Sequence, residues 1–212
     1  MKSSINNVLK PFIPQVILEF RKNLMIKKGM REWKKNGCPL PPPNFVKHLT
    51  ITQYQKKYNC STLVETGTFM GDMVEAQRMK FKKVISIELS VELFEKARER
   101  FKKINNVAII QGDSGKELPK IMEELHGPAM FWLDGHYSGG ITAKGDKESP
   151  IFEELNAIFN GKQFNHILII DDARCFNGEG DYPTVEKLTD YIRSKNDRYQ
   201  VEVKNDIIRC VI

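Results

Sequence analysis

Five short runs of apolar, largely β-branched residues recur along the chain between amphipathic stretches, and this alternation limits the fold more than any other feature. The runs are 62–66 (Thr-Leu-Val-Glu-Thr), 83–88 (Lys-Val-Ile-Ser-Ile-Glu), 107–111, 129–134 (Ala-Met-Phe-Trp-Leu-Asp) and 166–171 (His-Ile-Leu-Ile-Ile-Asp). Their apolar residues serve both faces, as expected of parallel strands covered on each side. Helical spacing of apolar residues fills the gaps at 72–81, 90–103, 115–126 and 150–159, and a further helix is expected at 184–195. Such alternation predicts an α/β, doubly wound, mostly parallel sheet with helices on both faces. The end departs from the pattern. Tyr199 to Val203, a polar turn at 204–206 and the run 207–212 read as a hairpin, so one late strand should run antiparallel.

Ahead of this core, residues 15–36 read as one amphipathic helix entered after Pro14, and Gly37-Cys-Pro-Leu-Pro-Pro-Pro43 as a stiff linker. The expected division is a basic extension, 1–43, and a main domain, 44–212, that opens with a helix at 44–58. Net charge is +6, but residues 1–48 carry ten Lys or Arg against Glu19 and Glu32, or +8, which leaves −2 for the rest. The extension could meet an anionic membrane surface as a peripheral contact, nucleic acid or an acidic carrier. Alternatively it folds back over its own domain with its lysines solvated, which its helical spacing and short linker favour. No apolar run approaches the ~20 residues of a spanning helix. The first residues lack the apolar stretch of a secretory signal, and the four cysteines show no Cys-x-x-Cys spacing. The expectation is a cytoplasmic chain with reduced thiols.

Ligands of such sheets bind outside the carboxyl ends of the strands. After the first run comes Glu65-Thr-Gly67-Thr68-Phe69-Met-Gly71, a glycine turn suited to close approach of a ligand, or to a plain strand-to-helix turn. The second run ends in Glu88-Leu89, placing a carboxylate about twenty residues on, where ribose hydroxyls can be bound. The third leads into Gly112-Asp113-Ser114, whose aspartate could bond an adenine amino group, cap the next helix, or both. Asp134 closes the fourth run, and Asp171 and Asp172 follow the fifth. If those strands are neighbours, about 4.8 Å apart, three carboxylates share one rim. A hard divalent cation such as Mg²⁺ would relieve their repulsion. The competing reading has Asp134 and Asp172 capping loops while Asp171 pairs with Arg174. His136 opens a glycine-rich stretch, 135–146, that reads as a lid, and a histidine there suits proton transfer near neutrality.

Taken together in this order, residues 60–176 resemble the class I S-adenosylmethionine-dependent methyltransferases. Within that class they resemble the divalent-metal-dependent O-methyltransferases of the catechol and antibiotic-sugar type. The resemblance implies a Rossmann-like methyltransferase fold of seven strands with a terminal antiparallel hairpin. It implies S-adenosylmethionine held by Glu65, Gly67, Thr68, Phe69, Gly71, Glu88, Leu89, Asp113, Ser114 and Asp134. It also implies a divalent metal on Asp134, Asp171 and Asp172, with Asp134 and His136 as the catalytic pair and His136 as proton acceptor. Two departures stand: some members carry Asn where Asp172 lies, and some use Lys or Asp as base. The O-methyltransferase resemblance implies a small-molecule or sugar acceptor and is compatible with an oligomer. Trp132-Leu-Asp-Gly-His-Tyr-Ser-Gly-Gly140 is also similar to proteins of bacterial surface-polysaccharide clusters, which by itself does not identify the acceptor.

Other readings stay open. These are a metal-independent methyltransferase, a nucleoside-binding domain without catalysis and, remotely, a short-chain dehydrogenase. Tyr191-Ile-Arg-Ser-Lys195 has the spacing of the dehydrogenase pair, but its glycine pattern and Asn-Asn-Ala-Gly-like segment are missing. No nucleic-acid partner is expected, since Asp134-Gly-His-Tyr137 stands where amino-directed enzymes carry Asn/Asp-Pro-Pro-Tyr/Phe.

Overall fold

A computed structural model describes residues 15–135 and 149–212. They fall into two compact units, one ending at Pro39 and one spanning Leu40–Ile212. In the first, helix α1 (Gln15–Lys35) ends on Lys34 and Lys35, whose charges suit the negative end of a helix. Gly37 turns the chain at φ +79°, and the Trp33 indole donates to the Pro39 carbonyl at 3.0 Å.

The second unit is a seven-stranded sheet in the order β3-β2-β1-β4-β5-β7-β6. Its elements are α2 (Asn44–Tyr58), β1 (Thr62–Thr66), α3 (Asp72–Gln77), β2 (Lys83–Glu88), α4 (Val91–Phe101), β3 (Val107–Gln111) and α5 (Ser114–Glu124). Then follow β4 (Ala129–Leu133), α6 (Ile151–Asn160), β5 (Ile167–Ile170), α7 (Val185–Lys195), β6 (Gln200–Lys204) and β7 (Ile207–Val211). β1 to β5 are parallel, and β7 lies antiparallel to both β5 and β6. The expected doubly wound sheet with a terminal hairpin is what forms.

Side-chain parity sorts the core into two layers. Val64, Ile85, Ile87, Phe131, Leu133, Leu168 and Ile170 pack with residues of α5, α6 and α7. Leu63, Val84, Met130, Trp132, Ile167 and Ile169 pack with Ile51 of α2, Val74 of α3 and Phe101 of α4. Strand order reverses between β1 and β4, and the loops beyond their carboxyl ends diverge to opposite sides of the sheet, leaving a crevice there.

Two local expectations fail. α3 stops at Gln77 rather than running to 81; Met79, on the extrapolated helix, is 77% exposed and leaves nothing to bury. β3 is an edge strand with no fully buried residue, so its apolar run does not mean two covered faces. Among the described residues no helix is long and apolar enough to cross a membrane, and the four cysteines are free.

Candidate functional site

The crevice is built first by close approach of backbone. Gly67, at φ +83°, lies against Asp134: a Cβ there would collide with the Asp134 carbonyl oxygen. Asp134 N–H in turn donates to the Thr66 carbonyl and to Thr66 Oγ1, both at 3.2 Å, tying the end of β4 to the end of β1. Gly135 is also close-packed, though against side chains: a Cβ would sit 2.8 Å from Glu154 Oε1. Gly67 is therefore demanded by the backbone packing between the loops.

Two carboxylates organise the β1–β2 side. Glu88, 5% exposed, accepts from the Phe69 N–H at 2.7 Å through one oxygen and from the Ser90 N–H at 2.9 Å through the other. It thus fixes the loops after β1 and β2 together. Phe69 adopts φ +49° and is 45% exposed beside it, and Leu89 offers its carbonyl to Gln111 at 3.0 Å. Glu65 is fully enclosed beneath the loop, accepting from Ser86 Oγ, which shares a hydrogen bond of 2.6 Å with Thr68 Oγ1. Burial, with Glu88 adding to it and Ser86 opposing, pushes the Glu65 carboxyl from its usual range up to about 8. Glu65 and Thr68 therefore shape the loop from below. Gly71, at φ +76°, starts α3, a helix of six residues.

On the β3 side Asp113 caps α5 by accepting from the Gly115 N–H at 2.9 Å, with Lys116 3.6 Å away. Ser114 Oγ donates to Glu154 Oε1 at 2.6 Å. Glu154, buried on α6, stands between Ser114 and Gly135 and so touches both ends of the crevice. Sequence reasoning passed over it, although an acid inside the apolar stripe Ile151, Leu155, Ile158 was a readable sign.

The third group is the carboxylate rim. Asp134, Asp171 and Asp172 each present an oxygen, all within 4.8 Å of one another. β4 and β5 are neighbours, and Asp171 N–H donates to the Leu133 carbonyl at 3.1 Å, which brings the two strand ends level. Asp171 follows the parity of Ile167 and Ile169 and so faces α2, where Lys47 meets it. Lys47 Nζ bonds Asp171 Oδ2 and lies 3.3 Å from Asp172 Oδ1. Burial would lower the Lys47 pKa, but the charges and hydrogen bond of Asp171, then Asp172 and Asp134, outweigh it and raise it. Arg174 binds Asp172 Oδ1 at 2.7 Å and also pairs with Asp206, not with Asp171 as the competing reading supposed. The reason is local: Asp172 adopts φ +53°, which turns the chain, and Asp206 anchors the Ala173 and Arg174 N–H groups. Among the described residues, Asp171 Oδ1 is buried with no hydrogen-bond partner. Hard carboxylate donors and that orphaned oxygen fit a divalent cation.

His136 and the lid through 146 lie outside the described residues, apart from Gly135.

The comparisons with known proteins fall on this frame. No family model matches the chain. The ribosomal RNA small subunit methyltransferase A of Caldanaerobacter subterraneus is 45% identical over 51 residues, 24% of this chain and 19% of that protein. The chain spans about a quarter or less of the curated relatives it matches. The O-methyltransferase TomG of Streptomyces achromogenes, involved in tomaymycin synthesis and solved with S-adenosylmethionine, superimposes with a TM-score of 0.58 at 14% identity, covering 88% of each chain. The O-methyltransferase of Bacillus cereus, solved with S-adenosylhomocysteine, gives 0.57 at 14% identity over 97% of this chain and 94% of the other. The fold of this chain is that of the class I S-adenosylmethionine-dependent methyltransferases and resembles their O-methyltransferases.

Proposed function

We propose that the protein is an S-adenosylmethionine-dependent methyltransferase that methylates a hydroxyl group of a small molecule or sugar with the help of a divalent metal. One observation carries the reading: three carboxylates converge across the crevice from a loop pair braced by the buried acid Glu88. In this class of fold the crevice is the ligand site.

Bound S-adenosylmethionine would supply the methyl group, and a divalent ion on Asp134, Asp171 and Asp172 would supply Lewis acidity toward the acceptor hydroxyl. Glu88 keeps lone pairs on both oxygens after accepting from Phe69 and Ser90, so it can also receive ribose hydroxyls. Gly67 lets the loop after β1 close onto the Asp134 carbonyl, where a side chain would collide, and so sets the floor of the crevice. Glu154 and Ser114 form a polar wall on the adenine side, where Asp113 caps α5 through one oxygen and keeps acceptor capacity for an adenine amino group. His136, next in sequence to Gly135, takes the acceptor's proton near neutral pH. The reaction needs alignment rather than a covalent enzyme intermediate.

The test is calorimetric titration with S-adenosylhomocysteine, then a methyl-transfer screen over sugars and nucleotide sugars with Mg²⁺ or Mn²⁺. Saturable binding and metal-dependent turnover support the reading; absence of binding removes it. A second reading, methylation of RNA, draws on the short likeness to ribosomal RNA methyltransferase A and the +8 charge of residues 1–48. Against it, Asp134-Gly-His-Tyr137 lacks the proline-rich sequence of amino-directed enzymes. Turnover on ribosomal RNA and none on sugars would favour it. A cytoplasmic location belongs to the first reading, and cell fractionation tests it.

A further inference from the structure

We infer that Lys47 is a built-in cation of the carboxylate rim which a divalent ion has to displace, so that helix α2 sets how tightly the rim takes metal. The inference rests on reading Asp134, Asp171 and Asp172 as a metal site.

Lys47 stands in the first turn of α2 and reaches across to residues more than 120 positions later in the chain, Asp171 and Asp172. Its side chain is 16% exposed and that of Asp171 is 0% exposed, so the pair is shielded from water. The charged groups around it are Asp134, Asp171, Asp172 and Arg174, and Asp206 lies behind Arg174. Three carboxylates held this close without a cation would repel strongly in a poorly hydrated site. Lys47 and Arg174 supply the compensation.

The two cations are not held alike. Arg174 is clamped between Asp172 and Asp206, and its own N–H donates to Asp206 at 2.8 Å. Lys47 is held through Nζ alone, at the end of a flexible four-carbon stem. Of the two, Lys47 is the one that can leave. It also satisfies Asp171 incompletely: Oδ2 is engaged while buried Oδ1 has no partner. An ammonium offers three donors, whereas a hard divalent ion can collect oxygens from all three aspartates. The ion and the ammonium would claim the same oxygens and repel each other.

A plain structural strut makes the opposite prediction. If Lys47 only pinned α2 to the sheet, its removal would loosen the rim and weaken metal binding. If it competes with metal, its removal strengthens binding.

The experiment measures Mn²⁺ binding, by calorimetry and by electron paramagnetic resonance of free Mn²⁺, for the full-length wild type, K47M, K47Q and K47R without substrate. K47M should bind Mn²⁺ at least about tenfold more tightly than wild type, because a like charge a few ångströms from the ion is gone. K47R, which keeps the charge, should stay near wild type. Without metal K47M should melt below wild type, and Mn²⁺ should close the difference. Should K47M fail the circular dichroism check for folding, K47Q decides, since it removes charge while keeping a polar donor. Wild type binding Mn²⁺ as tightly as, or more tightly than, the neutral variants overturns the role of Lys47 while leaving the metal rim standing. No binding by any of the four proteins overturns both.

Discussion

The two halves of the crevice bury carboxylates by different means. On the β1–β2 side Glu65 and Glu88 are held by hydroxyl and backbone N–H groups, and the burial of Glu65 makes it resist ionisation up to about pH 8. On the β4–β5 side Asp171 and Asp172 are answered by the ammonium of Lys47 and the guanidinium of Arg174. Hydrogen-bonded acids make a rigid frame, because their partners, the Phe69 and Ser90 backbone N–H groups and the buried Ser86 hydroxyl, are fixed in the sheet and its loops. Acids paired with a side-chain cation make an exchangeable site, because another cation can take the place of the first. Under the proposed function, the first half would recognise a neutral ribose and the second would serve charge and catalysis.

The sharpest way to break this comparison is to remove a rim carboxylate. D171A should lower methyl transfer by about 10³-fold or more and abolish Mn²⁺ binding, since several kcal/mol of Lewis-acid stabilisation would go with it. Chelation of the wild type should do the same, with recovery on adding Mg²⁺ or Mn²⁺. Full activity after exhaustive chelation would leave the rim as an ion-pair network only. Next in size, H136A should reduce turnover by about 10²- to 10⁴-fold with S-adenosylhomocysteine affinity unchanged, as expected for loss of a proton acceptor. A pH–rate profile that keeps its acidic limb in H136A would take the proton transfer away from this residue.

The opposite half predicts a binding defect. E88A should weaken S-adenosylhomocysteine binding by about tenfold, near 1.5 kcal/mol, the value of hydrogen bonds to a charged group. Part of that loss will come from the Phe69 and Ser90 N–H groups that Glu88 now holds. E88Q, which keeps an acceptor for one of them, should fall between. Equal affinity in all three proteins would take Glu88 out of the site.

What the sequence made readable divides along the same line. Each strand and its terminal acid could be placed because parallel strands announce themselves as apolar runs and their ligand-side ends follow the chain direction. The convergence of Asp134, Asp171 and Asp172 needed only that β4 and β5 be adjacent. Lys47 was not readable. It is one of ten basic residues before position 49, and nothing local distinguishes it from the solvated ones. Only the packing of α2 on the face that Asp171 shares with Ile167 and Ile169 singles it out. The competing reading paired Arg174 with Asp171; the left-handed turn at Asp172, uncommon for any residue but glycine, takes it to Asp172 and Asp206 instead and is not written in the sequence. The exposure of β3 followed from its place at the sheet edge, a property of strand order and not of composition.

The smallest effect concerns the frame itself and reads through stability. A carboxyl whose pKa is higher in the folded protein than in the unfolded chain is favoured by folding when protonated. For Glu65 that contribution is fully present below the ordinary carboxylate pKa, near 4.5, and is lost as pH rises through about 8. Glutamine cannot ionise, so E65Q carries no such loss and keeps an amide oxygen for Ser86. The melting temperature of wild type relative to E65Q should therefore fall steadily from pH 5 to pH 8 and level off above it. A span of several degrees is expected, since about 1 kcal/mol moves a domain of this size by roughly 2–4 °C. Differential scanning fluorimetry across pH 5–9 measures it. A constant offset between the two proteins would mean that Glu65 is ionised throughout. The β1–β2 half would then also need a counter-charge, and its contrast with the rim would disappear.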